Sequence, residues 1–357
     1  MKILYDENTF LTQKVGGISR YHYELYKGLI KEGIDARITG RFIKNKYLLE
    51  DVNLRKRFIA DPFALFKYIN RLSTVRKVKK TEDYDILHLT GYYDYVKSAI
   101  PPQAKVVITI HDMILEKELG MSNALKQYYA ERVDKIIAVS EKTKKDIIET
   151  LGVSADKIHV VYHGSSLSMA QAKKPSKSVP ALYLLFVGQR SGYKNFTKLI
   201  EGLAPLLIQN KSLHLVCAGR RDFNKEEQKQ FKQTGIEDQI VLYKNIDDNH
   251  LAYLYKNAQA FIFPSLFEGF GIPILEAWSC QTPVLLSNNQ CFTEIAGDAG
   301  YYFDPQNPND ITQKTNDVLT NKQLADDLRI KGQKRLQQFS WQQAVNETIL
   351  IYKSLIK

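Results

Sequence analysis

The sequence predicts an α/β protein built from two doubly wound, mostly parallel β-sheets. Three observations predict this class. Short, β-prone apolar segments alternate with amphipathic helical segments, which is the pattern of β-α-β units. The alternation stops at residues 165–180, a small, polar, proline-containing stretch typical of an interdomain linker, and then restarts. The chain of 357 residues is also long enough for two domains with separate cores.

The N-terminal half predicts one sheet with helices between its strands. Residues 2–5 form a first apolar strand, and a helix then runs from Ile18 to Ile30 until Gly33 ends it. Short apolar runs predict further parallel strands at residues 34–38, 85–89, 105–110, 135–139 and 158–162. Together these elements predict a first domain over residues 1–168.

The second half predicts another sheet of the same kind. Helical patterns dominate after Asn309, and Ser340 is placed to cap a last helix that begins at Trp341. The second domain is therefore expected over residues 177–340. Since parallel sheets bind ligands at the carboxyl ends of their strands, site residues are expected there. The strands are predicted at residues 182–187, 213–217, 240–243, 260–263 and 283–287.

Composition excludes several classes of protein. No run of eighteen apolar residues occurs, so no membrane-spanning helix is expected, and the charged N-terminus lacks the apolar core of a signal peptide. Cys217, Cys280 and Cys291 are odd in number and have no metal-ligand spacing. They predict buried thiols in a reducing compartment, and hence a cytoplasmic protein.

The net charge of +11 is concentrated between residues 41 and 80. Basic residues alternate there with aromatic and aliphatic ones, and only Glu50, Asp51 and Asp61 oppose them. One interpretation is peripheral contact with an anionic membrane, at its inner face. The other is a solvated helical face that only keeps the protein soluble. Nucleic acid is not expected as a partner, because no nucleic-acid-binding module accompanies the charge.

The stretch from Pro264 to Ala277 is the strongest candidate for a binding site. An apolar strand is followed by the glycine-rich corner Glu268-Gly269-Phe270-Gly271 and by a helix that begins near Ile272. A helix N-terminus attracts anions through its free amides and its macrodipole. A carboxylate cannot hold a phosphate, so Glu268 and Glu276 are expected to bind sugar hydroxyls. The corner therefore predicts a site for a sugar nucleotide.

A second candidate is the loop that follows the first strand of the second domain. It carries Arg190 and Lys194 between Gly188 and a helix that begins near Asn195. A guanidinium grips phosphate oxygens with a planar fork, and an ammonium adds a compact charge. The pair could therefore stabilise a departing diphosphate without a metal. The alternative is a pair of solvent-facing loop cations.

The first domain contributes two weaker candidates. Gly16 and Gly17 lie before a helix N-terminus, where glycines permit close backbone approach, although an ordinary turn would look the same. His111 follows a strongly apolar strand and could contact a sugar hydroxyl or move a proton, or it could simply cap the strand end. No cluster of metal ligands is expected, and the lack of G-x-G-x-x-G after either first strand argues against a nicotinamide dehydrogenase.

These residues together resemble the retaining glycosyltransferases of the GT-B class, family 4 type, a bacterial group of mannosyl- and glucosyltransferases. The resemblance covers essentially the whole chain, and its most specific part is the E-x₇-E corner combined with the Arg/Lys loop. The matching positions are Gly16-Gly17 with Arg20-Tyr21, His111-Asp112, Gly188 to Asn195, Glu268 to Glu276, and Thr282-Pro283-Val284.

The resemblance implies two Rossmann-like domains that face each other across a cleft. The donor, a GDP- or UDP-sugar, would be held mainly by the second domain, and the helix at 341–357 would pack back on the first. Arg190 and Lys194 would hold the diphosphate, Glu276 the ribose and Glu268 the transferred sugar. The amides of Gly269, Phe270, Gly271 and Ile272 would support the donor, Gly16 and Gly17 would approach the phosphates, and His111 would lie near the anomeric centre. No metal and no cofactor are implied.

The predicted function is therefore hexose transfer with retention from a nucleotide-diphosphate sugar to a glycan or glycolipid, in synthesis of a surface polysaccharide or lipopolysaccharide. Mannose is favoured, because the stretch Gly16 to Tyr21 resembles mannosyltransferases. Two alternatives stay open. One is another GT-B enzyme, such as a phosphorylase or a nucleotide-sugar epimerase. The other is a non-catalytic basic protein that binds membrane or polyanion.

Overall fold

The computed structural model describes residues 1–190 and 192–356, and these form two compact units. The first unit contains Met1–His163 together with the described residues from Trp341 onward. The second unit contains Gly164–Ser340. No helix in the described part of the chain is long and apolar enough to cross a membrane.

The first unit is built on a six-stranded sheet in the order β2-β1-β5-β6-β7-β8, and all of its strands are parallel. A separate pair, β3 and β4, forms a small parallel ribbon. The strands are β1 (Lys2–Tyr5), β2 (Asp35–Ile38), β3 (Phe42–Ile43), β4 (Ile59–Ala60), β5 (Ile86–Leu89), β6 (Val106–Ile110), β7 (Lys135–Ala138) and β8 (Ile158–Val160).

Helices cover both faces of this sheet. Its central strands are buried throughout because they are flanked on both sides, which explains why they are continuous apolar runs rather than alternating ones. The helices are α1 (Asn8–Thr12), α2 (Gly17–Lys31), α3 (Lys46–Glu50), α4 (Lys67–Val78), α5 (Asp94–Lys97), α6 (Ile114–Lys117), α7 (Ala124–Arg132) and α8 (Glu141–Leu151). Short 3₁₀ turns lie at Arg55–Arg57, Thr81–Asp83 and Ala155–Lys157.

The second unit is built on another six-stranded parallel sheet, in the order β11-β10-β9-β12-β13-β14. Its strands are β9 (Leu182–Val187), β10 (Leu213–Gly219), β11 (Ile240–Lys244), β12 (Ala260–Phe263), β13 (Val284–Ser287) and β14 (Tyr301–Phe303). Its helices are α9 (Phe196–Gln209), α10 (Lys225–Thr234), α11 (Asp248–Asn257), α12 (Ile272–Ser279), α13 (Gln290–Ala296), α14 (Pro308–Thr320) and α15 (Lys322–Leu336). Its 3₁₀ turns lie at Met169–Gln171, Gly192–Lys194, Glu237–Gln239 and Gly297–Ala299.

The last helix, α16 (Trp341–Leu355), belongs to the first unit and packs against α2. Its buried Tyr352 is the clearest anchor, because its hydroxyl lies 2.9 Å from the Tyr5 hydroxyl and 2.5 Å from Nδ1 of His88. The polar tips of these three side chains therefore satisfy one another inside an apolar core. Lys357, the last residue of the predicted helix, lies outside the described residues.

The stretch 165–180 is attached to the second unit along its length. The Lys173 amide donates to Asn249 O at 3.0 Å, the Lys177 ammonium to Leu242 O at 2.9 Å, and the Tyr243 hydroxyl to Ser178 O at 2.5 Å. A stretch with the composition of a linker is therefore a packed segment here, since the polar backbone of such a segment finds partners on the neighbouring strand and helix.

Candidate active site

The strand order of the second unit places the candidate site. In chain order, the sheet is 3-2-1-4-5-6, and the order reverses between β9 and β12. Doubly wound sheets bind ligands at such a switch point, beyond the carboxyl ends of the two strands. The described residues that leave those ends are 188–190 and 192–195, with the predicted cations, and 264–271, with the predicted acidic corner.

The structure brings two of the predicted residues into direct contact at this point. The Lys194 ammonium lies 2.5 Å from Oε1 of Glu268, and both side chains are less than one-fifth exposed. The backbones of the two loops are also joined, because the Leu266 amide donates to Tyr193 O at 2.8 Å. A cation and a carboxylate thus meet at the ligand edge of the sheet, where phosphate and hydroxyl groups of one ligand could engage both.

Hydrogen bonds from the end of β13 and the start of α13 hold the corner after β12 in place. The Ser287 hydroxyl and the Asn289 side-chain amide both donate to Ser265 O, the latter at 2.9 Å. The thiol of Cys291 lies 3.2 Å from Phe270 O. These bonds fix the loop before any ligand arrives, which is what preorganised binding requires.

Gly271 is the N-cap of helix α12 and has a backbone conformation that favours glycine. Its φ is +105°, and an added Cβ would lie 3.0 Å from Cδ1 of Ile274 and 3.1 Å from Cε1 of Phe292. Pro273 occupies the first turn, where its fixed φ suits the helix and its missing N–H is no loss. Gly271 has no side chain with which to cap α12, so the positive end of the helix is presented at the corner.

Glu276 lies in the second turn of α12 and is held by a residue that sequence patterns do not reveal. The hydroxyl of Tyr255, on α11, donates to its Oε2 at 3.1 Å. Tyr255 is fully buried, and burial together with the neighbouring carboxylate raises the pKa of its hydroxyl well above the ordinary value. The tyrosine therefore stays protonated and acts as a permanent donor that orients Glu276.

Arg190 is engaged away from Lys194, by the segment after β10. Its Nε lies 2.9 Å from Oε1 of Glu227, and its Nη2 donates to the carbonyls of Arg221 at 3.0 Å and Asp222 at 2.9 Å. The guanidinium also lies 4.6 Å from the ring centre of Phe223. Glu227 could have been found from the sequence, because Asn224-x-x-Glu227 is a capping box at the start of α10.

His111 follows β6 in the first unit and belongs to a buried aromatic cluster. Its ring makes edge contacts with Tyr21 and His22, at centroid distances of 5.0 and 5.5 Å, and stacks on His163 at 6.0 Å. Burial, reinforced by Lys126, lowers the pKa of His111 to about 3, so the ring is neutral at pH 7. Its Nε2 is buried and has no hydrogen-bond partner among the described residues. A neutral ring suits hydrogen bonding to a ligand better than charge stabilisation.

Gly16 and Gly17 lie at the start of α2. Gly16 is its N-cap, and the Ser19 amide in the first turn donates to Oε1 of Gln13 at 3.1 Å. The capping role of Gln13, from outside the helix, was not predicted from the sequence, since a cap is usually the residue that adjoins the first turn.

Two carboxylates at the switch point of the first sheet were also missed. Asp6 and Glu7 follow β1 directly and are buried, and Asp6 accepts from the amide and hydroxyl of Thr90 at 2.5 and 2.6 Å. Burial and the adjacent Glu7 raise the pKa of Asp6 to about 6. The signal was present, because a carboxylate pair follows a predicted strand. No group of three or more potential ligands for a metal occurs among the described residues.

Two family profiles match consecutive parts of the chain. Residues 15–168 match the profile for Glycosyltransferase Family 4, and residues 169–335 match that for Glycosyl transferases group 1. With its two Rossmann-like parallel sheets, the protein is a glycosyltransferase of the GT-B class. More particularly, it belongs to the family 4 type, as the sequence predicts.

Individual relatives lead to the same class. O-antigen chain mannosyltransferase B of Escherichia coli is 29% identical over 231 residues, which cover 62% of this chain and 60% of that protein. O-antigen chain mannosyltransferase RfbU of Salmonella typhimurium is 30% identical over 213 residues, 58% of each chain. The matched stretch therefore spans about three-fifths of these two relatives. An uncharacterized glycosyltransferase of Methanocaldococcus jannaschii, MJ1607, is 24% identical and covers 95% of this chain and 94% of its own.

Solved structures share the fold over the whole chain. A glycosyltransferase from Rickettsia africae superposes with a TM-score of 0.76 at 19% identity and covers 100% of this chain and 98% of its own. Anabaena Alr3699/HepE, solved in complex with UDP and glucose, has a TM-score of 0.77 at 17% identity and covers 99% of this chain and 100% of its own. These likenesses confirm the predicted fold class.

Proposed function

We propose that this protein transfers a hexose, with retention of configuration, from a nucleotide-diphosphate sugar to a glycan or glycolipid acceptor. The observation that carries the proposal is the contact between Lys194 and Glu268 at the switch point of the second sheet, beside the N-terminus of α12. A diphosphate next to a hydroxyl-rich sugar needs this combination, because a cation and a helix N-terminus attract the phosphates while carboxylates accept from hydroxyls. We place the reaction in the synthesis of a surface polysaccharide or lipopolysaccharide.

The proposed roles follow the chemistry of each side chain. Lys194 and Arg190 bind the diphosphate, and Glu276, oriented by Tyr255, accepts from the ribose hydroxyls. Glu268 accepts from hydroxyls of the transferred sugar, and the backbone from Gly269 to Ile272 supports the donor. In the first unit, Gly16 and Gly17 are assigned to the donor phosphates and neutral His111 to the transferred sugar.

The proposed step needs no nucleophile from the protein. The acceptor oxygen forms a bond to the anomeric carbon while the bond from that carbon to the diphosphate oxygen breaks on the same face. The acceptor proton passes to the departing diphosphate, and Lys194 stabilises the negative charge that develops there. In this scheme Glu268 positions the sugar and forms no covalent intermediate.

The favoured donor is GDP-mannose, and the competing donor is a UDP-hexose. Mannose is supported by relatives named mannosyltransferases, including serotype-specific mannosyltransferase WbdA of Escherichia coli. The alternative is supported by fold neighbours solved with UDP and with UDP-glucose. We further propose a cytoplasmic location with peripheral contact at the inner face of the membrane. The odd number of cysteines, all three of them buried, supports a reducing compartment.

The test is donor turnover with each nucleotide sugar, measured as release of nucleotide diphosphate in the presence of glycan acceptors. Lys194→Ala and Glu276→Ala should abolish turnover with the preferred donor while the folded state is retained. Lys198→Ala and Glu226→Ala remove half-exposed or exposed charges on neighbouring helices and serve as matched controls. Full turnover in either site variant would refute the assignment. Products of inverted configuration would refute the mechanism alone.

A further inference from the structure

The exposed apolar side chains of this protein are concentrated in one short stretch of the first unit. Eight of the fifteen large apolar side chains that are exposed in the described part of the chain lie within residues 52–72. Isolated exposed apolar residues are normal, whereas a concentration of this kind marks a surface that meets another apolar phase. The eight residues are Val52, Ile59, Phe63, Leu65, Phe66, Tyr68, Ile69 and Leu72.

Helix α4, Lys67–Val78, exposes its apolar face and buries a mostly polar one. The face that it buries carries Asn70, Thr74 and Val78, which are spaced four residues apart and are mostly polar. The opposite face carries Tyr68, Ile69 and Leu72, all more than half exposed. At about 100° per residue these three are centred roughly opposite the buried stripe. A helix that only covered a core in water would point its apolar face inward.

The loop before α4 presents its apolar residues in an ordered turn. The buried carboxylate of Asp61 accepts from the amides of Leu65 and Phe66, both at 2.9 Å. The Phe66 ring packs on Phe42 at a centroid distance of 4.6 Å. Phe63, the most exposed large apolar residue in the chain as described (80%), projects from the tip of this turn. The apolar tip is therefore built by specific bonds and does not result from a frayed loop.

The charge of the same stretch has one sign. Residues 52–80 contain nine Lys and Arg residues and a single carboxylate, that of Asp61, which is buried and occupied by the turn. The surface of this stretch therefore presents cations and apolar groups without any exposed carboxylate. Eight of the cations are exposed: Arg55, Lys56, Arg57, Lys67, Arg71, Arg76, Lys79 and Lys80.

We propose that this surface, residues 52–80, docks on an anionic lipid bilayer. Its exposed aromatic and aliphatic side chains enter the boundary between headgroups and acyl chains, while the surrounding cations meet the lipid phosphates. A second copy of the chain fits this surface poorly, since two surfaces of the same charge would face each other. A soluble polyanion would satisfy the cations but leave the apolar tip in water. The inference does not rest on the transfer reaction, because it involves none of the residues assigned to the candidate site.

The first test addresses the apolar contact with the full chain and vesicles of phosphatidylcholine with or without phosphatidylglycerol. The wild type should sediment with the anionic vesicles and stay in solution with the neutral ones. The triple variant Phe63→Gln, Leu65→Gln and Leu72→Gln should bind at least about tenfold more weakly, because each buried apolar side chain contributes on the order of one tenfold factor. Ile330→Gln and Leu350→Gln, which remove equally exposed apolar residues on α15 and α16, should bind as the wild type does.

The second test addresses the charge. Lys56→Glu with Arg76→Glu should also weaken binding to anionic vesicles at least about tenfold, whereas Lys211→Glu with Lys229→Glu, on exposed positions of the second unit, should not. Weakening by the charge variants together with normal binding by the apolar triple variant would overturn the proposal in favour of a polyanion surface. Equal binding to neutral vesicles, or a dimer in solution that the triple variant dissociates, would overturn it as well.

Discussion

Replacing Arg190 should change stability as well as donor binding. Its guanidinium is 5% exposed and bonds the Glu227 carboxylate and two backbone carbonyls. Arg190→Ala leaves the Glu227 carboxylate, itself 10% exposed, without its cation. Removal of one partner from a buried ion pair costs about 3–5 kcal/mol. Because Glu227 keeps its bond from the Asn224 amide at 2.7 Å, we expect the lower end, about 3 kcal/mol.

This loss should appear in the thermal transition of the second unit. For a unit of this size, each kcal/mol shifts Tm by about 2–4 °C, so Arg190→Ala should melt about 6–12 °C lower. The assay is calorimetric melting, with Lys229→Ala as the control because it removes an exposed cation from α10. Donor affinity is then measured well below both transitions, so that loss of fold and loss of a phosphate contact are separated.

Two outcomes would decide how Arg190 is used. A variant that melts within about 1 °C of the wild type would refute the structural argument, because it would show that the buried pair contributes little to stability. A variant that melts lower but binds the donor normally would keep the structural argument and remove Arg190 from the diphosphate site.

Two further predictions concern the first unit. Burial lowers the pKa of His88 and of His111 to about 3, so their contribution to stability is complete above the unfolded-state pKa near 6.5 and falls as the pH drops below it. Each histidine costs about 2 kcal/mol at pH 5, whereas the raised pKa of Asp6 offsets about 1 kcal/mol. The free energies of unfolding from urea titrations at pH 7 and pH 5 should therefore differ by about 3 kcal/mol, and equal values would contradict the argument. Gly28→Ala places a Cβ 2.4 Å from Cγ2 of Val345. The overpacking should cost about 1–3 kcal/mol of stability, which outweighs the gain in helix propensity of about 1 kcal/mol. Val345→Ala in the same chain should relieve the overpacking, and additive changes in unfolding free energy in the double-mutant cycle would contradict this.

The parallel strands could be predicted well from the sequence because each is a short, continuous apolar run between polar turns. Strand β9 was predicted at residues 182–187 and is observed there, and β12 likewise at 260–263. Such runs carry their own signal, since a strand flanked by helices on both faces has no polar positions. The helix start after Gly271 could also be predicted from local sequence, because Pro273 is suited to the first turn of a helix and follows a glycine by two positions.

The basic stretch was predicted less well. One of the two interpretations of residues 41–80 was a solvated helical face, but only Lys67–Val78 forms a long helix, and the rest is a two-stranded ribbon, short helical turns and an ordered loop. The reason is tertiary, because Asp61 organises the loop through its carboxylate and β4 pairs with β3 seventeen residues earlier. Neither the hydrogen bonds of Asp61 nor the pairing of β3 with β4 produces a periodic pattern in the sequence, so neither could be predicted from it.

Local patterns alone determined that this chain forms two parallel α/β sheets, that acids and cations follow their strands, and that one stretch is strongly basic. These properties depend on neighbours within about one helical turn or one strand, so they can be recognised in the residue order. Only the tertiary structure decided that Lys194 contacts Glu268, a residue 74 positions away in the chain. It also decided that Arg190 forms its ion pair with Glu227, and that the apolar face of α4 is exposed. Those outcomes depend on which strands become neighbours and which face the core leaves uncovered, and both are settled by packing between residues far apart in the chain.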